Sequence, residues 1–176
     1  VEVEEDMKMF CKVNKLHNAF FDGELVAVNC EELSSDENYK VVTKTARSKG
    51  IKRGLKYNIF DTLRYEDFVL QECDTEYYKR RWLLNELSKN VNLTYINILP
   101  VLYNGSDKDM IMEYLNKARE NHKEGIMINL DNGMYEFKRT TNLLKVKVMQ
   151  DADLKIVDVY EGTGKNKGKL GGIIIE

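Results

Sequence analysis

The chain has 176 residues, 43% of them hydrophobic, enough for one ordinary domain with its own core and at most a small appendage. A formal charge of -2 and a pI near 5.9 exclude a protein that is basic overall, so any hold on nucleic acid has to come from local charge. The three cysteines (Cys11, Cys30, Cys73) are far apart and the two histidines (His17, His122) are isolated, which excludes ordinary zinc-site spacing and fits a reducing compartment.

The chain opens at Val1, without a methionine, in the acidic run Glu2, Glu4, Glu5, Asp6. Ala19 to Asn29 reads as a buried strand, mostly apolar, with Asp22-Gly23-Glu24 embedded in it. A polar loop is expected over Glu31 to Asn38. Thr43 to Lys56 then holds six basic residues and no acid, either a solvated face or local charge for nucleic acid. Lys56 to Leu63 reads as a second short strand. Asp74 to Lys89 reads as a helix, with Tyr78, Trp82, Leu83 and Leu87 as its apolar stripe.

Thr94 to Val101 is expected to return to strand, broken by Pro100. Ser106 to Glu120 is the strongest helix pattern. Ser106 and Asp109 suggest a capping box, and Met110, Ile111, Tyr114, Leu115 and Ala118 repeat at helical spacing. A hairpin is expected next: Gly125 to Leu130, an Asn132-Gly133 turn, then Met134 to Lys138. Leu143 to Val148 reads as a further strand. Strands dominate and no regular βαβ alternation appears, which predicts an α+β fold with largely antiparallel sheets.

After Gln150 to Asp153 the character changes. Lys155 to Glu161 and Leu170 to Glu176 read as strands around a basic, glycine-rich tip, Gly162 to Lys169. The tip fails the P-loop pattern: Thr163 stands where the first glycine belongs, Leu170 where a Ser or Thr belongs, and a strand follows rather than a helix. From Lys138 to Lys169 there are eight basic residues and four acidic ones. No apolar run approaches the length of a membrane span and no signal-peptide pattern is present.

Several residues have both a bland and a chemical reading. A carboxylate among Phe21, Leu25, Val26 and Val28 is costly to bury without a cation or hydroxyl partner, and a ribose or metal would supply one; alternatively Gly23 marks a bulge with the acids turned to solvent. Phe60 is either a core aromatic or the wall against a purine. Glu124 is either a charged strand end or a ligand for a hard divalent cation. Lys145 and Lys147 flank Val146, so they share one strand face, exposed or turned to phosphates.

Four of these segments occur in a fixed order: Phe21-Asp22-Gly23-Glu24-Leu25, Tyr57-Asn58-Ile59-Phe60-Asp61, Glu124-Gly125-Ile126-Met127-Ile128 and Leu144-Lys145-Val146-Lys147. The set resembles the covalent nucleotidyltransferase motifs III, IIIa, IV and V, most closely those of the ATP-dependent DNA ligases. Arg139-Thr140 also resembles the stretch leading into motif V, and the tail from Asp151 looks like the start of an oligonucleotide-binding barrel.

The resemblance implies an antiparallel-sheet adenylation domain, incomplete, over residues 1–148, and the first strands of an OB-fold over 149–176. It implies that Glu24 contacts ribose or the metal-bound phosphates and that Phe60 stacks on adenine. Glu124 would bind Mg2+ or Mn2+, with Glu24 as a second metal contact, and Lys145 and Lys147 would bind the phosphates of ATP. Lys165, Lys167 and Lys169 would touch DNA backbone. The implied reaction adenylates a lysine, moves AMP to the 5′-phosphate of nicked duplex DNA, and seals the strand. The implied protein is monomeric, not membrane-bound, and cytoplasmic in a bacterial or phage-infected cell.

One departure bears on chemistry. The family's nucleophile lies in Lys-x-Asp-Gly, and no such motif occurs in the 176 residues; Lys8, Lys12 and Lys15 lack the Asp-Gly that should follow. The chain is therefore expected to begin between the nucleophile motif and motif III and to be inactive alone, with no catalytic residue of its own. An RNA ligase or capping-type guanylyltransferase shares the motif set, and a non-catalytic nucleic-acid-binding module is the reading from another class.

Overall fold

In a computed structural model that describes residues 1–147 and 152–176, β1 (Ala19–Ala27) and β2 (Leu55–Arg64) form an antiparallel pair. A short β3 (Ile96–Ile98) joins the other edge of β2 in parallel, giving the order β1-β2-β3. β4 (Gly125–Asn129) pairs antiparallel with β5 (Leu143–Lys147), and β6 (Ile156–Glu161) with β7 (Leu170–Ile175). The fold is α+β, as expected, with one parallel pair among antiparallel ones; the expectation that strands dominate is not met, because the five helices named below hold more of the described residues than the strands do. The expected strand end at Val148, the proposed boundary at 148–149 and the start of the tail at Asp151 lie outside the described residues.

The helices are α1 (Glu2–Val13), α2 (Ser35–Arg47), α3 (Tyr65–Leu70), α4 (Tyr77–Ser88) and α5 (Asp109–Glu120). The acidic opening run is thus the first turn of α1, where Glu2, Glu4 and Glu5 sit favourably against the helix dipole. Part of the expected loop over Glu31–Asn38 is instead the start of α2. Ser34 caps it: the backbone N–H of Glu37 donates to Ser34 Oγ at 3.3 Å, and the Ser34 N–H donates back to Glu37 Oε2 at 2.9 Å. The Ala27 N–H donates to Asn38 Oδ1 at 2.8 Å and ties α2 to β1.

The α5 stripe is as expected, with Met110, Ile111, Tyr114, Leu115 and Ala118 all half-buried. The Ser106 capping box is not formed; the helix starts at Asp109, whose N–H donates to Asp107 Oδ1 at 2.9 Å. The stripe assigned to α4 is also wrong. Tyr78, Trp82 and Leu83 are exposed, and the helix buries Leu84, Arg80 and Arg81 instead. Leu84 joins Ile59 and Ile96 as the core, with Met7, Phe21, Tyr57, Leu93 and Ile98 packed around it. Full burial of a side chain such as Ile59 or Leu84 contributes about 1.5–3 kcal/mol.

The expected hairpin over Gly125–Lys138 does not form either. β4 skips Met134–Lys138 and pairs with β5, with Gly125 opposite Lys147 and Met127 opposite Lys145. The reason is docking of the intervening segment onto α4. The Tyr77 N–H donates to the Gly133 carbonyl at 2.9 Å, the Tyr78 N–H donates to the Asp131 carbonyl at 3.0 Å, and Glu76 and Met134 form an isolated bridge. The chain around Asn132-Gly133 is held against α4 rather than running back along β4. The β6–β7 hairpin stands where the sequence puts it, with exposed residues along most of both strands.

Candidate nucleotide site

The β1–β2 ladder shifts register once, between Asp22 and Gly23. Asp22 faces Asp61 and Gly23 faces Ile59, so Phe60 has no cross-strand partner and is the extra residue of a bulge. A bulge re-aims a side chain. Phe60 is half-buried and stands outside the residues packed on the core cluster. Gly23 is required here: a Cβ would lie 2.5 Å from the Asn58 carbonyl oxygen and 2.7 Å from the Tyr57 ring. The bulge expected at Gly23 therefore exists, with its extra residue on the opposite strand. Glu24 is exposed in register with Asn58. It borders an open hollow of 480 Å³ shared with Gly23 and Tyr57 of the sheet and Tyr39 and Thr43 of α2. Phe60 and the two lysines are not among the residues lining that hollow.

The second group is at the end of β4–β5. Lys145 and Lys147 share a strand face, and Glu124, just before β4, lies between them. Lys145 Nζ reaches Glu124 Oε2 at 2.8 Å and Lys147 Nζ reaches Glu124 Oε1 at 2.8 Å. These hydrogen bonds, with the lysine charges behind them, hold the Glu124 carboxyl at about 2, well below the usual carboxylate range. All three side chains are roughly half exposed. Gly125 permits the arrangement, because a Cβ there would strike the Val146 carbonyl oxygen. Three of the five nucleotide-site residues expected from sequence are thus in direct contact.

A third group was not legible in the sequence. Arg80 is 5% exposed and forms a two-pronged pair with Asp61, Nε to Oδ1 at 2.9 Å and Nη2 to Oδ2 at 2.8 Å. Its Nη1 also donates to the Gly133 carbonyl at 3.3 Å and to the Thr75 carbonyl. Burial works against the Arg80 charge, and the Asp61 hydrogen bonds more than offset it. The guanidinium lies 5.6 Å from the centre of the Tyr135 ring, whose hydroxyl donates to Asp22 Oδ2 at 2.6 Å. Burial and then the Asp22 carboxylate push the Tyr135 hydroxyl upward. The signal that could have flagged this group is Arg80-Arg81 placed in a helix beside the apolar Leu83 and Leu84, where an arginine needs an acid partner.

The family described as ATP dependent DNA ligase domain matches residues 3–147 of this fold. The chain belongs to that family. A curated relative, the DNA ligase of Haemophilus influenzae, is 24% identical over 155 residues, covering 86% of this chain and 52% of the relative. The solved structure named Pmar-Lig_Pre superposes with a TM-score of 0.74 at 28% identity, covering 99% of this chain and 40% of that one. The ATP-dependent DNA ligase from bacteriophage T7, in complex with ATP, shares the fold with a TM-score of 0.56 at 16% identity, over 97% of this chain and 60% of that one. The chain therefore spans about half the length of the relatives it matches. Of the readings raised by the four segments, it is the DNA ligase family that matches, and all four fall within the matched residues. No helix among the described residues is long and apolar enough to cross a membrane.

Proposed function

We propose that this ligase-family chain is the nucleotide-holding part of an ATP-dependent enzyme that seals nicked duplex DNA. The observation that carries the reading is the contact of Glu124 with both Lys145 and Lys147. The two ammonium groups share a single carboxylate, which leaves one positive charge uncompensated. A triphosphate offers them a stronger anion, and the charge that builds at the α-phosphorus during attack and pyrophosphate release falls where they can stabilise it. Phe60, set in the bulge, covers the adenine, and Glu24 takes the ribose hydroxyls or the metal-bound phosphates.

Glu124 fits a hard divalent cation, Mg2+ or Mn2+, as one carboxylate ligand whose other positions are filled by phosphate and water oxygens; Glu24 is the second carboxylate of that reading. Such a cation, when bound, neutralises charge on the phosphate oxygens. The attacking lysine is not among these residues. In the reading proposed here, residues 1–148 belong to the adenylation domain and 149–176 open an OB-fold, whose exposed lysines at 165, 167 and 169 touch DNA backbone. The whole protein acts as a single chain in the cytoplasm of a bacterial or phage-infected cell.

The test is a sealing assay. Full-length protein with ATP, magnesium and a 5′-phosphorylated nicked duplex should join the strand and pass through an AMP-adduct visible by intact mass. A folded protein that forms no adduct and seals nothing overturns the reading.

A further inference from the structure

The proposed contacts fall on two separate sheets. Phe60 and Glu24 are on β1-β2-β3, and Glu124, Lys145 and Lys147 are on β4–β5. A ligand that spans base to phosphate needs those sheets in a fixed register. The segment between β4 and β5 carries Gly133 onto α4 and Tyr135 onto the first sheet. There Arg80 grips Asp61, next to Phe60, and also reaches the Gly133 carbonyl. Tyr135 grips Asp22, two residues before Glu24. Asp22 and Asp61 are cross-strand neighbours at the bulge. One partly buried network thus touches β1 and β2 of the first sheet and the connection within the second.

We infer that Arg80 and Tyr135 are positioning residues that pin the base-and-ribose half of the nucleotide site to its phosphate half. The inference rests on the proposed function. Neither residue touches the nucleotide; each acts through the carboxylate it holds. The consequence is specific. Loosening the pin leaves each half intact and misaligns the halves, so only a ligand that occupies both should lose affinity.

The decisive variant is Tyr135→Phe in the full-length protein, which keeps the ring over Arg80 and deletes one hydrogen bond. Arg80→Lys is the harsher companion. Three probes are compared by calorimetry or competition: ATP, adenosine and inorganic tripolyphosphate. Tyr135→Phe should weaken ATP by roughly 2- to 10-fold, the span of one net hydrogen bond. Adenosine and tripolyphosphate should bind as they do to the parent protein. If ATP binding is unchanged in Tyr135→Phe, the pin does not exist, while the nucleotide reading stands. If all three probes weaken together, the network only supports the fold and the inference fails. If the parent protein itself binds no ATP, the proposed function fails and takes the inference with it.

Discussion

Asp22 and Asp61 face each other directly across the β1–β2 ladder, two carboxylates at one rung. Like charges so placed repel. Separate partners relieve the repulsion, Arg80 for Asp61 and the Tyr135 hydroxyl for Asp22. The rung is a point where local sheet stability has been given up and restored by long-range contacts, beside two residues proposed to hold the nucleotide.

Removing one member of the buried pair should therefore be severe. Arg80→Ala leaves Asp61 buried with a neighbour of its own sign, a loss of about 3–5 kcal/mol. At about 2–4 °C per kcal/mol for a chain of this size, the melting temperature should fall by roughly 6–20 °C. The double variant Arg80→Met with Asp61→Leu should recover much of that. A fall of only a degree or two in Arg80→Ala would mean the pair is not formed in solution.

Glu124 makes a prediction in pH. Its carboxyl is held at about 2 by the hydrogen bonds from Lys145 and Lys147. A carboxyl depressed in the folded state stabilises that state above its unfolded pKa of about 4.5, and the contribution is lost as pH falls from there through about 2. The side chains are half exposed, so the stability at stake is small and salt should shrink it. A 13C NMR titration should find Glu124 ionised well below pH 4 at low salt. Its midpoint should rise in Lys145→Ala and Lys147→Ala. An ordinary midpoint that neither variant moves would show the three groups do not meet.

What the sequence disclosed follows from the range of the forces involved. Alternation and apolar runs placed all seven strands of the described residues, β3 shorter than expected, because those signals are local. The face shared by Lys145 and Lys147 followed from strand period alone. Two errors were local as well. The Ser34–Glu37 box that starts α2 lies within a polar stretch with no apolar repeat, while Ser106–Asp109 has the box spacing but does not cap α5. The remaining misses are long-range. The Asn132-Gly133 pair resembles a hairpin turn, but Asp131 and Gly133 dock on α4 instead. The buried face of α4 carries Arg80, whose partner is 19 residues away. No periodicity reports an ion pair at that separation, so the apolar spacing of α4 points to the wrong face.

Phe60 separates stacking from packing. In the full-length protein, Phe60→Ala should cost about 1–3 kcal/mol in ATP affinity, the range for one base on one aromatic. Phe60→Trp should retain most binding. The bulge places Phe60 off the core cluster, so the loss of melting temperature in Phe60→Ala should be modest. If alanine leaves both ATP binding and adenylation unchanged and lowers only the melting temperature, the ring is a packing residue.

The β6–β7 tip should belong to DNA and not to ATP. Lys165, Lys167 and Lys169 are exposed on a turn shaped by Gly164 and Gly168, both with positive φ, at 60° and 78°. Glu161 accepts the Gly168 N–H at 2.7 Å and so braces the turn. Long side chains at such a tip reach outward to a phosphate backbone. Contacts of that kind give sequence-independent affinity whose logarithm falls linearly with log salt, by about 0.9 per phosphate neutralised on a duplex. Replacing all three lysines with alanine in the full-length protein should lower that slope by up to roughly three units. Self-adenylation needs no DNA and should be nearly unchanged. Nicked-duplex affinity across a salt series reads the first quantity, and intact mass after incubation with ATP reads the second. An unchanged slope would reduce the tip to a solubilising turn. A collapse of adenylation would move it into the nucleotide site and undo the division of the chain proposed above.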